Sequence, residues 1–460
     1  MQRDSEFLAT EKPSKLLLKL ALPAVTAQLV NMLYNIVDRM YIGRLEGIGT
    51  EALAGVGACM PVILLVSAFA ALASMGGAPR ASIFMGRGDR ESAERTMGNC
   101  MTLLLFLAAL LTAALLIFQR PILLTFGALP ETLPYALEYM NIYAIGTVFV
   151  QLALGMNAFI TAQGFSRTSM LTVLIGAVLN IGLDPLFMFT FDMGVKGAAL
   201  ATILSQAVSA AWVIWFLCGR RTVLRLRLRF MAPRPKLLLP CLALGVSPFI
   251  MQATEAAINV CFNRQLALYG GALAVSAMTI LASVMQFAML PLQGLTQGAQ
   301  PITSYNYGAK NASRVRASFR ALLAACMIYA GALWLAVMLF PHGFAALFST
   351  DAELIDFTAR ALRVYMAVGV LFGVQLACQQ TFIALGNAKS SLFLAVLRKI
   401  ILLIPLIYLL PAMLPMDKTM AVYLAEPVAD FLAVTATALL FAHQFPRALR
   451  ALETDECTKT

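Results

Sequence analysis

Four polar patches interrupt long apolar runs of this sequence, and each carries a carboxylate. Asp38 closes the first run, in Asn35-Ile36-Val37-Asp38-Arg39. Asp184 lies inside another, Asn180-Ile181-Gly182-Leu183-Asp184-Pro185, four residues after Asn180 and so on the same helical face. Glu255 follows Gln252 by three residues in a third, and Glu426 and Asp430 form an i, i+4 pair in a fourth. An acid held in hydrocarbon costs roughly 2.5 to 3.5 kcal/mol on insertion scales, so each patch requires a physical account.

Two carboxylates, the amide oxygen of Asn180 and the hydroxyl of Thr202 make an all-oxygen set suited to a hard cation, and sodium would fit. Like charges brought together in a dry interior also favour a bound proton, so H+ is the alternative ion. Pro185 loosens the helical ladder and frees a carbonyl beside Asp184. For Asp38 a plainer reading stands alongside: a helix end in the headgroup zone, with Arg39 as partner. Glu255, with Gln252, could attract a cationic substrate or carry a proton, or be a carboxyl held by a neighbouring arginine. Glu426 and Asp430 are read as a structural ion pair with Arg398.

The elements that must position these groups follow from composition. Of 460 residues, 60% are hydrophobic and only 12% charged, too few polar side chains to cover a soluble fold. Apolar stretches long enough to span a bilayer recur with short polar joints, and about twelve are counted. They centre near residues 28, 66, 108, 146, 179, 207, 252, 286, 329, 370, 402 and 432. Unbroken runs such as Met101 to Phe118 exclude the alternating strands of a barrel, so the fold class is an all-α integral membrane protein.

The net charge of +11 does not point to nucleic acid, because the basic residues mark topology. Arg220, Arg221, Arg225, Arg227, Arg229, Arg234 and Lys236 fall between spans six and seven. Arg80, Arg87, Arg90 and Arg95 fall between two and three, and Lys310, Arg314, Arg316 and Arg320 between eight and nine. With alternating spans all three loops share one side, which the positive-inside rule makes cytoplasmic, together with both termini. The inner membrane of a bacterium is the expected location. Asp4, Glu6 and Glu11 precede a first run long enough to span, so no cleaved signal peptide is expected. The scattered cysteines read as small buried apolar residues, and His342 and His443 are too few for a histidine-based zinc site.

The second half weakly repeats the first. Gly76-Gly77-Ala78-Pro79 leading to Gly86 matches Gly298-Ala299-Gln300-Pro301 leading to Gly308, with Pro79/Pro301 and Gly86/Gly308 both separated by 222 residues on subtraction. Phe159-Ile160 before Gly164 matches Phe382-Ile383 before Gly386. Two pseudo-symmetric six-helix lobes are expected, parallel repeats about an axis along the membrane normal, with a substrate site between them. The divisions are an N-lobe over 1–218, a basic cytoplasmic linker over 219–236, a C-lobe over 237–445 and a cytoplasmic tail over 446–460. Aligning Pro185 with Pro405 puts Asp184 opposite apolar Ile404, and Asp38 falls near Asn263, so the carboxylate pair belongs to the first half alone.

No G-x-x-x-x-G-K-[ST] loop occurs, so ATP hydrolysis is not expected, and no loop is long enough for the catalytic surface of a membrane-embedded transferase. The chain is read as a non-enzyme without a cofactor. Leu22-Pro23, Asp38-Arg39-Met40-Tyr41-Ile42-Gly43, Asn180 through Phe187, Gly194 through Thr202, and Gln297 through Pro301 with Tyr305-Asn306-Tyr307-Gly308-Ala309 resemble the multidrug and toxic compound extrusion (MATE) family. The pattern is similar to its MepA-like branch. The resemblance covers nearly the whole chain and implies a V-shaped, two-lobed secondary transporter. It would export drugs and organic cations by antiport with Na+ or H+, among membrane lipids, as a monomer. It also implies an N-lobe cation site at Asp38, Asn180, Asp184 and Thr202, with Tyr139 and Asn157 as neighbours. Glu255 falls where NorM-like members carry an acid, whereas DinF-like members concentrate acids in the N-lobe, and carrying both leaves the coupling lobe open. The alternative function is a lipid-linked precursor flippase, which should show a more basic cavity.

Overall fold

Long runs of leucine, alanine and methionine, broken by few turn-forming residues, leave the backbone little choice but helix in an apolar solvent. The computed structural model describes residues 7–457, with side chains to Glu453, and among the described residues every regular element is helical. Ten helices are long and apolar enough to cross a bilayer, and the pair Ala352–Tyr365 and Gly369–Ala384, bent by 50°, supplies one more span. The 74-residue helix Pro235–Gly308 counts twice, because Gly271 at φ 62° and ψ −155° breaks it. Twelve spans result among the described residues. In chain order they are α1 (Pro13–Ile42), α2 (Gly49–Gly86), α3 (Arg90–Thr125), α4 (Leu133–Ala162), α5 (Ser166–Thr190) and α6 (Gly194–Cys218), then α7 (235–270), α8 (272–308), α9 (Ala312–Leu339), α10 (352–384), α11 (Ala388–Met413) and α12 (Lys418–Glu453). Each expected span centre falls inside one of them.

The repeat is visible in the turns. Asp89 caps α3 by accepting from the Ser92 amide at 3.0 Å, and Asn311 caps α9 by accepting from that of Arg314 at 3.1 Å. One residue before each cap the chain is left-handed, at Gly88 (φ 79°) and Lys310 (φ 60°). Gly164 (φ 88°) and Gly386 (φ 77°) turn the chain between α4 and α5 and between α10 and α11. Both pairs are separated by the same 222 residues as the sequence motifs, by subtraction. The equivalence therefore extends from side-chain type to backbone conformation.

Buried side chains of α2 to α6 build the apolar cores of one lobe, and those of α7 to α12 build the other. The lobes meet closely at the end that carries the basic loops. A Cβ on Gly76 would lie 1.9 Å from the Cys241 carbonyl oxygen, and one on Gly298 would lie 2.5 Å from the Ala21 backbone. These two positions are equivalent in the repeat, so α2 against α7 and α1 against α8 are two copies of one contact. The segment Phe7–Thr10 and the first turns of α1 pack on the other lobe: Leu8, Leu16 and Leu20 join the core of α7 to α12. Residues 446–457 continue helical with α12, and the rest of the expected tail, 458–460, lies outside the described residues, as do residues 1–6.

The proline-marked helices are irregular at related places. α5 leaves the α pattern as a π-turn over Leu186–Thr190, directly after Pro185, and α11 does so over Leu397–Leu403, just before Pro405. Proline lacks the amide that the ladder needs, and π-turns of this kind recur at functional sites.

Candidate functional site

Three helices of the N-lobe bring the predicted oxygens together. α1 contributes Asp38, α5 contributes Asn180 and Asp184, and α6 contributes Thr202. Asp38 is 6% exposed, Asn180 2% and Asp184 0%, so all three are buried in the protein. The four-residue spacing within α5 lets the Asn180 amide Nδ2 donate to Asp184 Oδ1 at 3.1 Å, and the same nitrogen lies 3.4 Å from Thr202 Oγ1. Asp38 and Asp184 are close enough for their carboxyl groups to act on one another. Arg39 is exposed and makes no salt bridge to Asp38; among the described residues neither acid of the pair has a basic partner within salt-bridge range.

What the site lacks in partners defines its chemistry. Asp38 Oδ1, Asp184 Oδ2, Asn180 Oδ1, Asn157 Oδ1 and Ser205 Oγ are buried without a hydrogen-bond donor. An unpaired buried acceptor costs about 1–3 kcal/mol, more when charged, and carboxylate and amide oxygens can only accept. Two facing carboxylates in a dry interior add mutual repulsion. A single monovalent cation or a proton relieves both costs at once.

Asn180, Thr202, Asn157 and Ser205 also line a cavity of about 40 Å³, with room for a water or a small ion next to Asn180, the hydrogen-bond partner of Asp184. Asn157 is held by its amide, which donates to the Ser169 carbonyl at 3.3 Å. Tyr139 lies near Thr202 and stacks on Tyr143, with ring centroids 6.2 Å apart. All six N-lobe residues expected from sequence and resemblance therefore cluster. Two further residues belong with them: Tyr34, which lines the cavity, and Ser205. Tyr34 precedes Asp38 by four residues and Ser205 follows Thr202 by three, so helical spacing alone could have found them.

The C-lobe acids have a different setting. Lys399 Nζ lies 2.7 Å from Glu255 Oε1, Arg398 Nε lies 2.6 Å from Asp430 Oδ1, and Arg398 Nη2 lies 3.4 Å from Glu426 Oε1. Both bases stand on the π-turn of α11. The expected pairing of Arg398 with Glu426 and Asp430 is present, while Glu255 is bound by a lysine rather than an arginine. The Glu255 side chain is 46% exposed, with Gln252 one helical turn before it.

Comparison with known proteins gives the same partition. The MatE family model matches twice, over residues 23–186 and 248–409, once in each lobe. The chain is 24% identical over 435 residues to the multidrug export protein MepA of Staphylococcus haemolyticus (strain JCSC1435), covering 94% of this chain and 95% of that protein. The fold is similar to that of a crystal structure of MATE in the bent conformation, with TM-score 0.91, 23% identity and coverage of 98% of this chain and 99% of that one. It also matches the outward-facing conformation of a multidrug resistance MATE family transporter of the MOP superfamily, with TM-score 0.89, 23% identity and 97% and 98% coverage. With both lobes matched by one family model and MepA proteins among its relatives, the chain belongs to the MatE family, the multidrug and toxic compound extrusion (MATE) transporters.

Proposed function

We propose that this chain is a multidrug efflux antiporter of the bacterial cytoplasmic membrane, acting as a monomer with both termini in the cytoplasm. It exports organic, often cationic, compounds against inward flow of Na+ or H+. One observation carries the reading: Asp38 and Asp184 lie together in the N-lobe interior with orphaned oxygens and, among the described residues, no lysine or arginine within salt-bridge range. A structural ion pair would have an arginine or lysine there, as the C-lobe acids do.

Each residue has a part in that exchange. Asp38 and Asp184 bind the incoming cation, and Asn180 and Thr202 complete its shell. Asn157 and Tyr139 hold the surrounding wall. Occupation removes the repulsion between the carboxylates, so the relative energy of lobe arrangements changes with ion binding, as coupling requires. Glu255 and Gln252 are assigned to the substrate side, where the half-exposed carboxylate offers an organic cation its counter-charge. The flippase alternative needs uncompensated bases for a diphosphate near the substrate-side Glu255, and the bases there, Arg398 and Lys399, are both paired with carboxylates.

The test is transport in proteoliposomes with sodium and pH gradients imposed separately and a fluorescent organic cation as cargo. Export driven by one gradient and lost in Asp184→Asn is the expected result. Export that ignores both gradients sinks the reading.

A further inference from the structure

The linker between the lobes is built as a strap. Its sequence alternates, Leu224-Arg225-Leu226-Arg227-Leu228-Arg229-Phe230, and its two ends are buried. Leu224 is 0% and Phe230 3% exposed. The backbone between and beside them is tied to the N-lobe: Arg225 N donates to Glu94 Oε1 at 3.0 Å, Leu224 N to Gln163 Oε1 at 2.8 Å, and Asn99 Nδ2 to the Phe230 carbonyl at 3.1 Å. Glu94 is further neutralised by Arg90 and Arg227, each at 3.2 Å. Glu91 is taken by Arg95.

Once those pairs are made, charge is left over. Among the described residues no carboxylate lies within salt-bridge range of Arg225, Arg229, Arg234 or Lys236. Arg229 is fixed instead by stacking on Phe230, 4.4 Å from the ring centroid, with Arg95 over the same ring at 4.7 Å. Arg225 Nε is buried with no hydrogen-bond partner. A cavity of about 380 Å³ opens over this set, bounded by Arg90, Arg225, Arg227, Arg229 and Phe230, and by Glu91 and Glu94, whose charges Arg95, Arg90 and Arg227 already offset. Beside it a second, of about 590 Å³, is bounded by Arg95, Arg234 and Lys236 and, on its other wall, by Asp89 and Glu91. Between flanking arginines Leu228 is 87% exposed. A leucine held fully out of the protein beside a row of cations, at the joint between two spans, suits a membrane interface, where the apolar tip enters the acyl boundary and the bases stay at the headgroups.

We propose that this pocket binds the headgroup of an anionic phospholipid from the leaflet at the basic end, with Arg225 and Arg229 on the phosphate and Leu228 against the acyl chains. Orientation by the positive-inside rule asks only for charge near the span ends. It does not ask for stacked guanidiniums, an unpartnered buried Nε or a roofless cavity. Basic pockets between helices at this depth are the recurrent form of anionic-lipid sites.

The experiment uses the full chain, purified in detergent with mixed phosphatidylglycerol and phosphatidylcholine and read by native mass spectrometry. Wild type should retain phosphatidylglycerol in preference. Arg225→Gln and Arg229→Gln should each reduce that retention about fivefold, the ratio that ~1 kcal/mol per basic side chain at an anionic surface gives. Leu228→Ser should weaken it without touching a charge. Thermal unfolding of each variant checks that the strap remains folded, and Arg227 is left alone because it holds Glu94. Equal retention of the two lipids, or wild-type retention in the Arg225→Gln/Arg229→Gln double variant, overturns the proposal. Loss of bound lipid to inorganic phosphate at millimolar concentration also overturns it, in favour of a small-anion site.

Discussion

Gly86 and Gly308 stand back to back where α2 crosses α8. A Cβ on the first would lie 2.0 Å from the Tyr305 carbonyl oxygen, and one on the second 2.0 Å from that of Ile83. Each helix thus presents its glycine to the other's backbone, the self-complementary contact expected on a pseudo-two-fold axis. The two halves of one chain meet here as the subunits of a symmetric dimer would.

Gly86→Ala should therefore force the helices apart. Backbone cannot yield as a side-chain tip can, and overpacking of this kind costs about 1–3 kcal/mol. The expected outcome is a lowered unfolding temperature in detergent together with impaired export, with Gly308→Ala behaving alike. A variant as stable and active as wild type would show that the crossing is looser than described.

Asp184→Asn should abolish the drug resistance conferred on an efflux-deficient host while expression stays intact. The amide keeps the shape and hydrogen-bonding reach of the side chain but removes the charge that a cation needs. Asp38→Asn should do the same. Full resistance in either variant would remove that residue from coupling.

Thr202→Val should have a graded effect. It takes one oxygen from the shell and leaves both carboxylates, so the concentration of coupling cation giving half-maximal export should rise by roughly tenfold, in line with the 1.5–3 kcal/mol of a hydrogen bond to a charged group after partial replacement by water. An unchanged half-maximal concentration would mean that the hydroxyl does not face the ion.

Arg398→Met should cost about 3–5 kcal/mol, because it leaves Glu426 and Asp430 buried without a counter-charge. Arg398→Met/Asp430→Asn should recover part of that loss. Unfolding temperatures of the single and double variants decide the matter, and additive losses would argue against a direct pair.

The sequence carried the spans and the repeat, because hydrophobic length and the positions of glycine and proline depend on nothing beyond the local chain. Asp38, Asn180, Asp184 and Thr202 were legible for a related reason: polar oxygens in apolar runs are conspicuous. Tyr139 and Asn157 came only through resemblance, since neither type is unusual in a helix. Tyr34 and Ser205 gave a spacing signal that was weak for the same reason. Lys399 as the partner of Glu255 could not be read at all, because the two are 144 residues apart and meet only through packing. The linker looked like a plain basic stretch, since its order comes from Gln163, Asn99 and Glu94 on other elements.

The stretch from Leu8 to Glu11 belongs by chain order to the half that holds Asp38, yet the other half grips it. Asn306 Nδ2 donates to the Leu8 carbonyl at 2.9 Å, and Arg314 Nη2 donates to the Leu8 carbonyl at 3.1 Å and to that of Glu11 at 2.6 Å. This is a stitch across the seam, and any parting of the halves at that end must tear it or drag the stretch along. At that end the first helix is therefore bound to the fate of the second half unless Asn306 and Arg314 let go.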